Sequence, residues 1–359
     1  MGTSHGQTAQ PGARPETPTV EASGDAPAWD DYLAARDDAG LFHDPRWGRI
    51  LADVYGARPV YLTARRGEAI VGVLPLVYQR SVLFGRHLCS IPYFDAAGVL
   101  ADDEAAEAAL LDAAHQARAD CGAESVELRQ LAPLGEGLPV RTDKVTMWLE
   151  LGETADQTWD NLKTKVRTKV RKALKKAEVD VVSGGGELLD EYCAVYSRTM
   201  RDLGSPPHGK RLFRRILDAF GDAVRLFVAR SQDGQPLAAS FTLTDRWGFH
   251  VPWSGSDFRF RRLGANRVLY WHMLAEASDA GAGRFDFGRS TRDSGTYEFK
   301  AEWAAEPVQL YWHFLLPKGA EMPDLRPDSP KYRFLVATWR KLPLWLARAL
   351  GPGIIGKLS

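Results

Sequence analysis

Two stretches of the chain repeat one pattern of hydrophobic and polar positions. Residues 46–65 align without gaps with residues 211–230, and each stretch predicts an amphipathic helix, a glycine at which the helix ends, and a strand. A second strand follows each of them after a glycine-containing turn, at residues 69–78 and 236–244, so each copy contains a β-hairpin. Because the offset between the copies is the length of a domain, the pattern indicates a duplicated α/β domain.

Each copy continues with one more helix and one more strand. We expect the helices at residues 103–121 and 265–280, and the strands at 125–128 and 284–287. Helix, hairpin, helix and strand in this order resemble the GNAT acyltransferase fold. The sequence therefore predicts an α/β fold with mixed sheets (α+β), arranged as two tandem GNAT-like domains.

Composition and the repeat together predict the domain boundaries. Residues 1–27 contain four prolines among small and polar residues, which is typical of a disordered tail, and no apolar region of a signal peptide follows Met1. We place the first domain at residues 28–150 and the second domain, with the active site, at 151–320. Basic amphipathic helices are expected at residues 321–359.

The overall composition excludes several classes of protein. Acidic and basic residues balance at 46 each, so the chain is not a general polyanion binder and we expect no DNA partner. The three cysteines are far apart and form no metal-binding or redox motif, so no metal site is expected. No apolar run reaches the length of about 18 residues that a membrane span needs. We expect a cytoplasmic protein, and peripheral contact with the inner face of the plasma membrane stays open.

One predicted helix is strongly cationic. Residues 163–176 contain eight lysines and arginines and no acid, beside a narrow apolar stripe. Exposed helix faces usually interleave acids with bases, so this pattern favours an anionic partner, for which Arg167, Lys169 and Arg171 are the candidate residues. That partner is tRNA, a lipid-linked diphosphate or an anionic membrane. A merely solvated face is the alternative.

The C-terminal segment is also basic. Residues 331–359 combine aromatic residues, leucines and bases, and no acid follows Asp328. This composition suits a helix that lies on anionic lipid, and it suits equally a terminal helix that packs on the core. Pro343 and Pro352 divide the segment into pieces too short to span a membrane.

A basic turn precedes the helix predicted at residues 265–280. Residues 261–266 combine two arginines with Gly264 immediately before the helix, where backbone N–H groups can face an anion. Arg262 and Asn266 are therefore candidates to hold the anionic part of a donor molecule. A turn that only caps the helix is the alternative.

Residues 284–303 contain most of the candidate chemistry. They begin as a strand of alternating apolar residues and become polar after Gly288. The strand pattern then returns at aromatic residues that flank one lysine. Open α/β folds bind ligands where a strand ends in a polar loop, and a lysine among aromatic rings can stabilise the oxyanion of acyl transfer. An ordinary strand–turn–strand with an exposed lysine is the alternative. The candidate substrate-binding residues are Asp286, Arg289, Ser290 and Trp303, together with Trp253.

Together, these segments resemble the FemAB-like proteins, a tandem GNAT (BioF2-like acyltransferase) family, and in particular those found with exosortase (PEP-CTERM) and exopolysaccharide systems. The resemblance rests on the basic helix and on residues 201–206, 261–266 and 286–303, and it covers about residues 30–355. It implies transfer of an acyl group from acyl-CoA or aminoacyl-tRNA, with no tightly bound cofactor. The acceptor would be an amine on a cell-envelope precursor related to peptidoglycan or exopolysaccharide.

The resemblance also implies roles for individual residues. Phe299 and Lys300 match the Phe-Lys pair at the reaction centre of Fem enzymes. Lys300 would stabilise the oxyanion formed when an amine attacks the acyl carbonyl, and Tyr297 and Phe299, with Trp303, would wall the pocket. Arg289 would bind a carboxylate or phosphate of a substrate. No histidine occurs in a convincing catalytic motif, and the general base stays unidentified.

Two other functions fit the same residues. One is a non-catalytic tandem GNAT protein that binds a lipid-linked saccharide or an export-system partner. The other is a nucleic-acid binder that uses the basic helix, although the balanced net charge and the lack of an aromatic stacking series near this helix argue against it.

Overall fold

A computed structural model of the chain describes residues 17–25, 27–81, 85–135, 137–175, 179–323 and 330–357. Its strands are β1 (Thr19–Ser23), β2 (Arg58–Arg66), β3 (Ala69–Ser81), β4 (Gly85–Cys89), β5 (Leu100–Ala101), β6 (Ser125–Gln130), β7 (Val140–Arg141), β8 (Lys144–Glu150), β9 (Val179–Gly184), β10 (Val224–Ser231), β11 (Pro236–Asp245), β12 (Gly248–Ser256), β13 (Arg284–Thr291), β14 (Glu306–Gln309) and β15 (Tyr311–Leu315). Its helices are α1 (Asp30–Ala34), α2 (Arg46–Tyr55), α3 (Glu104–Asp120), α4 (Ala155–Asn161), α5 (Thr164–Lys175), α6 (Leu189–Leu203), α7 (Lys210–Phe220), α8 (Ala265–Asp279), α9 (Gly295–Glu302), α10 (Pro330–Trp339) and α11 (Leu344–Ile355).

The strands form two mixed sheets. The first has the order β1-β2-β3-β4-β6-β15-β7, and β5 pairs with β3 beside this path. The second has the order β14-β8-β13-β12-β11-β10-β9. Each sheet contains a parallel pair, β4 with β6 and β12 with β13, among antiparallel neighbours. The predicted α/β class with mixed sheets is therefore confirmed.

The sheets do not divide the chain at the predicted boundaries. Strand β8 lies before residue 151 but belongs to the second sheet, between β13 and β14. Strand β15 lies within 151–320 but returns to the first sheet beside β6. The prediction of a disordered tail at 1–27 is wrong for residues 19–23, because they form β1 and pair with β2. Residues 1–16 lie outside the described residues.

The internal repeat is visible in the structure. Helix α2 with strands β2 and β3 corresponds to α7 with β10 and β11, and each helix is followed by a glycine in the left-handed half of φ space, Gly56 at 67° and Gly221 at 49°. The two equivalent helices face each other across the domains. Asp53 of α2 accepts hydrogen bonds from Arg211 at 3.1 Å and from Arg215 at 2.7 Å on α7.

Aromatic side chains join the two domains into one core. Phe94 of the first domain packs on Trp47, with ring centroids 4.4 Å apart, and on Trp253 of the second domain at 5.5 Å. Phe213 of α7 packs on the same Trp253 at 5.4 Å. Because interiors packed in this way resist relative movement, the aromatic cluster holds the sheets in one arrangement.

The C-terminal helix α11 packs on α6, and its Gly351 lies against the loop between α6 and α7. A Cβ at Gly351 would lie 2.5 Å from Cδ of Pro207, so a larger residue would force the segments apart. Arg348 Nε donates to Ser197 Oγ at 2.8 Å and fixes the helix along α6. Of the two arrangements expected for the C-terminal segment, α11 therefore has the one in which the helix packs on the core. Among the described residues, no helix combines the length and apolar character that a membrane span requires.

Candidate active site between the two sheets

The site lies where two parallel strands separate. Strands β12 and β13 are paired at only two positions, one of which is His250 with Asp286. Beyond this point the register of β13 against β8 shifts between Asp286 and Arg289, and Gly288 within the shift has φ 75°. Such a β-bulge bends the strand and leaves backbone carbonyl groups unpaired. The separating strands and the bulge together open a space at this end of the second sheet.

That space is a cavity of about 710 Å³ lined by both domains. The first domain contributes a loop with Tyr93 and Asp95 and the end of β6, and the second contributes β12, β13 and α9. Four predicted site residues are part of the wall: Trp253, Asp286, Arg289 and Lys300. The cavity has the size and the position between domains that small-molecule sites usually have.

Lys300 is the buried cation of this cavity. Only 8% of its surface is exposed, and its Nζ donates to the carbonyl oxygens of Gly288 and Arg289, both at 2.8 Å. Burial lowers the pKa of Lys300 to about 8, although the charges of Asp286 and Asp95 oppose the shift. An ammonium group has three N–H bonds, so one is left for a ligand in the cavity.

Lys300 lies on a helix, and the prediction of a second strand at this position is wrong. Ser294 caps α9, since its Oγ accepts the backbone N–H of Tyr297 at 3.2 Å. Residues four apart share one face of a helix, and Thr296 and Lys300 accordingly both line the cavity. Tyr297 and Phe299 lie on other faces of the helix and pack against the core of the second domain.

The three aromatic residues predicted to wall the pocket belong to the core of the second domain. Phe299 packs edge-on against Tyr270 at 5.2 Å, and Trp303 is fully buried. Tyr297 is half-buried against the same core cluster. They pack α9 against the core and do not line the cavity that Lys300 lines, so they do not wall this cavity as predicted. The catalytic roles of Phe299 and Tyr297 stay predictions.

No sequence motif marks His250 as part of this site, although it contacts two carboxylates there. Its Nε2 lies 3.0 Å from Asp245 Oδ1 and its Nδ1 lies 3.4 Å from Asp286 Oδ2, and all three residues line the cavity. Burial lowers the pKa of His250, but the hydrogen bonds and charges of the two aspartates outweigh burial and raise it to about 9. At neutral pH the ring is therefore an imidazolium that donates to both carboxylates.

Asp286 is held in place by several groups. Thr146 Oγ1 donates to its Oδ1 at 2.6 Å and the backbone N–H of Gly288 donates to the same oxygen at 2.8 Å. Burial raises the pKa of Asp286. The contacts with His250, Thr146 and Gly288 lower the pKa by more than burial raises it, so the pKa of Asp286 lies below its usual value. Asp286 is thus a fixed carboxylate close to the ammonium of Lys300.

Arg289 connects the two domains at the cavity wall. Its Nη1 donates to Asp95 Oδ1 at 2.7 Å, and its guanidinium lies 5.6 Å from the ring centroid of Trp312. A substrate carboxylate or phosphate would therefore compete with Asp95 for this side chain. The neighbouring Ser290 is buried, its Oγ has no partner among the described residues, and it does not line the cavity.

The two predicted donor-binding residues lie outside the cavity wall. Arg262 is exposed and Asn266 is half-buried in the first turn of α8. A Cβ at Gly264 would lie 3.0 Å from Cβ of Ala173, so the basic turn packs directly on the basic helix α5. The structure thus brings the two predicted anion-binding segments together, on a surface separate from Lys300.

Helix α5 forms as predicted, but its three candidate residues have partners within the chain. Arg167 pairs with Asp160 at 3.1 Å, and Lys169 pairs with Glu302 at 2.7 Å. The guanidinium of Arg171 lies 5.2 Å from the ring centroid of Trp159. Acids from other elements thus compensate part of the charge that the helix sequence leaves unbalanced, and Lys176 lies outside the described residues. Anion binding by these residues stays a prediction.

Comparisons with known proteins agree with this architecture. The sequence model of the acetyltransferase (GNAT) domain family matches residues 161–301, which include Lys300. No curated protein matches the chain. FemX is similar in structure with a TM-score of 0.62 at 15% identity, over 86% of this chain and 97% of FemX.

Two further solved structures share the architecture. The C-terminal domain of a putative lysylphosphatidylglycerol synthetase from Agrobacterium fabrum has a TM-score of 0.53 at 14% identity, over 79% of this chain and 90% of that domain. A tandem GNAT protein from the clavulanic acid biosynthesis pathway has a TM-score of 0.52 at 12% identity, over 85% of this chain and all of that protein. At these identities the similarity is one of fold. Residues 161–301 thus match the acetyltransferase (GNAT) domain family, and the chain as a whole shares its fold with FemX and with a tandem GNAT protein.

Proposed function

We propose that this protein is an N-acyltransferase or aminoacyltransferase that moves an acyl group from acyl-CoA or aminoacyl-tRNA to an amine bound in the cavity. The observation that carries the proposal is the ammonium of Lys300. It is buried, it is held by two backbone carbonyls, and it lines a cavity between the domains. Such a fixed positive charge is suited to an oxyanion that exists only during the reaction.

The reaction follows from the chemistry of these groups. The lone pair of a neutral amine attacks the acyl carbonyl, and negative charge grows on the carbonyl oxygen, where the remaining N–H of Lys300 donates to it. The C–N bond forms, the C–S or C–O bond of the donor breaks, and the amine proton passes to the leaving thiolate or alkoxide. Asp286 and His250 do not exchange protons in this scheme, because each is held in its charged form.

The charge of the cavity favours an acceptor that arrives as a cation. Four cations face it: Arg284, Arg289, Lys300 and the imidazolium of His250. Six carboxylates line the wall: Asp37, Asp38, Asp95, Glu107, Asp245 and Asp286. Asp38 is paired with Arg36 behind the wall, and negative charge still exceeds positive charge. This charge attracts an alkylammonium group, whose proton passes to solvent before the neutral amine attacks.

We further propose that the acceptor amine belongs to a cell-envelope precursor related to peptidoglycan or exopolysaccharide. This extension rests on analogy of fold. One of the similar structures is named for lysylphosphatidylglycerol, an aminoacylated lipid. Fold alone does not determine a substrate, so the acceptor must be identified by experiment.

Donor binding by the purified protein tests the proposal first. The protein is mixed with acyl-CoAs, aminoacyl-tRNAs and carrier-protein thioesters, and the thermal midpoint of unfolding is measured. A donor at a hundred times its Kd stabilises the folded state by about 2.7 kcal/mol, which gives a clear shift. We expect one donor class to stabilise the protein and to support acylation of an amine. Stabilisation by none of them, with no acylated product, would contradict the proposed function.

A further inference from the structure

The largest exposed apolar side chains of the described residues gather on one surface. Phe334 on α10 is 74% exposed and Trp345 on α11 is 70% exposed, and Leu335 and Leu350 on the same helices are each 47% exposed. Leu203, at 50%, lies at the end of α6, where its carbonyl accepts a hydrogen bond from the α10–α11 connection. We call this surface, made of α10, α11 and the end of α6, the C-terminal face.

Helix α11 is apolar on its outer side as well as on its inner side. Ala347 and Gly351 are buried against the core. The residues that alternate with them on the outward side are Trp345, Leu346, Ala349, Leu350 and Gly353. A helix exposed to water normally carries polar residues on that side, so this side is suited to an apolar environment.

Bases surround the apolar surface. Exposed basic residues of these helices and their flanks are Arg333, Arg340, Lys341, Arg348 and Lys357. No acidic residue occurs between residue 329 and the end of the sequence. The acids on the adjoining helices have partners, since Asp202 pairs with Arg201 at 2.6 Å and Asp190 pairs with Lys210. The C-terminal face therefore combines an apolar centre with a cationic rim.

We propose that the C-terminal face docks on the surface of an anionic lipid bilayer, with Trp345, Leu350 and Phe334 in the interfacial layer and the bases at the phosphate groups. Amphipathic segments with bulky apolar residues and lysine or arginine bind such interfaces. A second copy of this chain is a poorer occupant, because it would bring two cationic rims together. The inference is independent of the proposed acyl transfer, since it needs only this surface.

Helix α11 also contributes to the cavity wall. Ile355 at the end of α11 lines the cavity, and its carbonyl accepts a hydrogen bond from the Tyr93 hydroxyl at 3.0 Å. The carbonyl of Gly356 accepts one from Gln79 Nε2 at 3.0 Å. These contacts fix the inner side of the helix whose outer side belongs to the C-terminal face.

Sedimentation of the full chain with lipid vesicles tests this inference. Two kinds of vesicle are compared. One contains phosphatidylcholine with about 30% phosphatidylglycerol and represents an anionic membrane surface, and the other contains phosphatidylcholine alone. We expect binding to the anionic vesicles that weakens as salt is added. The double variant Trp345→Glu/Leu350→Glu should bind at least about tenfold more weakly, because two apolar anchors are replaced by charges.

Charge variants provide a matched comparison. Lys341→Glu/Lys357→Glu should weaken binding by more than about 25-fold, since the loss of each base corresponds to about a fivefold change in affinity and the added carboxylates are also repelled by the anionic surface. Lys172→Glu/Lys175→Glu changes the net charge of the protein by the same amount as the C-terminal variant, but the changes lie on α5. This variant should leave binding unchanged. Circular dichroism checks that each variant is folded.

Three results would overturn the inference. The first is that the folded protein does not bind anionic vesicles at low salt. The second is that the α5 variant loses as much binding as the C-terminal variant, which would assign the contact to the basic helix. The third is a dimer in solution that Trp345→Glu/Leu350→Glu converts to a monomer while vesicle binding stays absent, which would assign the face to a second copy.

Discussion

Replacement of His250 by glutamine should remove a large, pH-dependent part of the stability of the site. The imidazolium lies between Asp245 at 3.0 Å and Asp286 at 3.4 Å and is almost fully buried. The pKa of His250 is raised from 6.5 to about 9 in the folded protein. One pKa unit corresponds to about 1.36 kcal/mol, so the charged ring contributes about 3 kcal/mol to the free energy of unfolding.

The sign of the pH dependence follows from the direction of each shift. Because the pKa of His250 is higher in the folded state, its contribution is complete below pH 6.5 and is lost as the pH rises to about 9. The pKa values of Asp245 and Asp286 are lowered, so their contribution is lost only in acid, below the range of the experiment. The stability difference between the wild type and His250→Gln should therefore shrink by about 3 kcal/mol between pH 6 and pH 9.5. Taking the difference removes the opposite contribution of Lys300, whose pKa is lowered to about 8.

Guanidinium denaturation followed by circular dichroism at several pH values measures this directly. The glutamine variant should be less stable than the wild type by about 3–5 kcal/mol at pH 6, because two buried carboxylates lose their cation. This difference from the wild type should shrink by about 3 kcal/mol by pH 9.5, because the ring of the wild type loses its proton. His208→Gln is the matched control, since burial lowers the pKa of His208 to about 3 and its folded form carries no proton to lose in this range. A difference between the wild type and His250→Gln that is constant from pH 6 to 9.5 would contradict the assignment of the charge to His250.

Three further predictions follow from the charged groups of the two domains. The ratio of kcat/KM of the wild type to that of Lys300→Met, which cancels the titration of the acceptor amine, should fall as the pH rises through about 8, because the ammonium of Lys300 loses its proton there. A lysine that acts as a base would make this ratio rise. Arg129→Met should lower the free energy of unfolding by about 3–5 kcal/mol, because it leaves the buried carboxylate of Glu127 without its cation at 2.7 Å, and addition of Glu127→Gln should restore part of the loss in the same denaturation assay. Asp95→Asn should change the thermal midpoint little, with a cost below about 1 kcal/mol, because its partner Arg289 is substantially exposed to solvent.

The fold could be predicted where its signals are local. Helical periodicity, glycines at helix ends and turn residues lie within a few positions of one another, which is why the duplicated helix and hairpin were found. Two features depend on contacts that no local pattern contains. One is the exchange of strands β8 and β15 between the sheets. The other is the pairing of Lys169 with Glu302, which lie on helices distant in the chain.

The candidate site was predicted in part for the same reason. Lys300 stands out in the sequence as one base among aromatic residues, and it lines the cavity as expected. The alternation of Tyr297 and Phe299 suggested a strand, whereas Ser294 as a helix cap was the available signal for α9. The contact of His250 with Asp286 arises from the register of two strands that are far apart in sequence.

We propose that the ammonium of Lys300 stabilises the transition state of acyl transfer. Turnover and donor affinity are measured for Lys300→Met and for the wild type, with the donor that stabilises the wild type. We predict a loss of about 10²–10³ in rate with nearly unchanged donor affinity, as for a contact made only in the transition state. An unchanged rate in the folded variant, or a loss explained entirely by weaker donor binding, would contradict the claim.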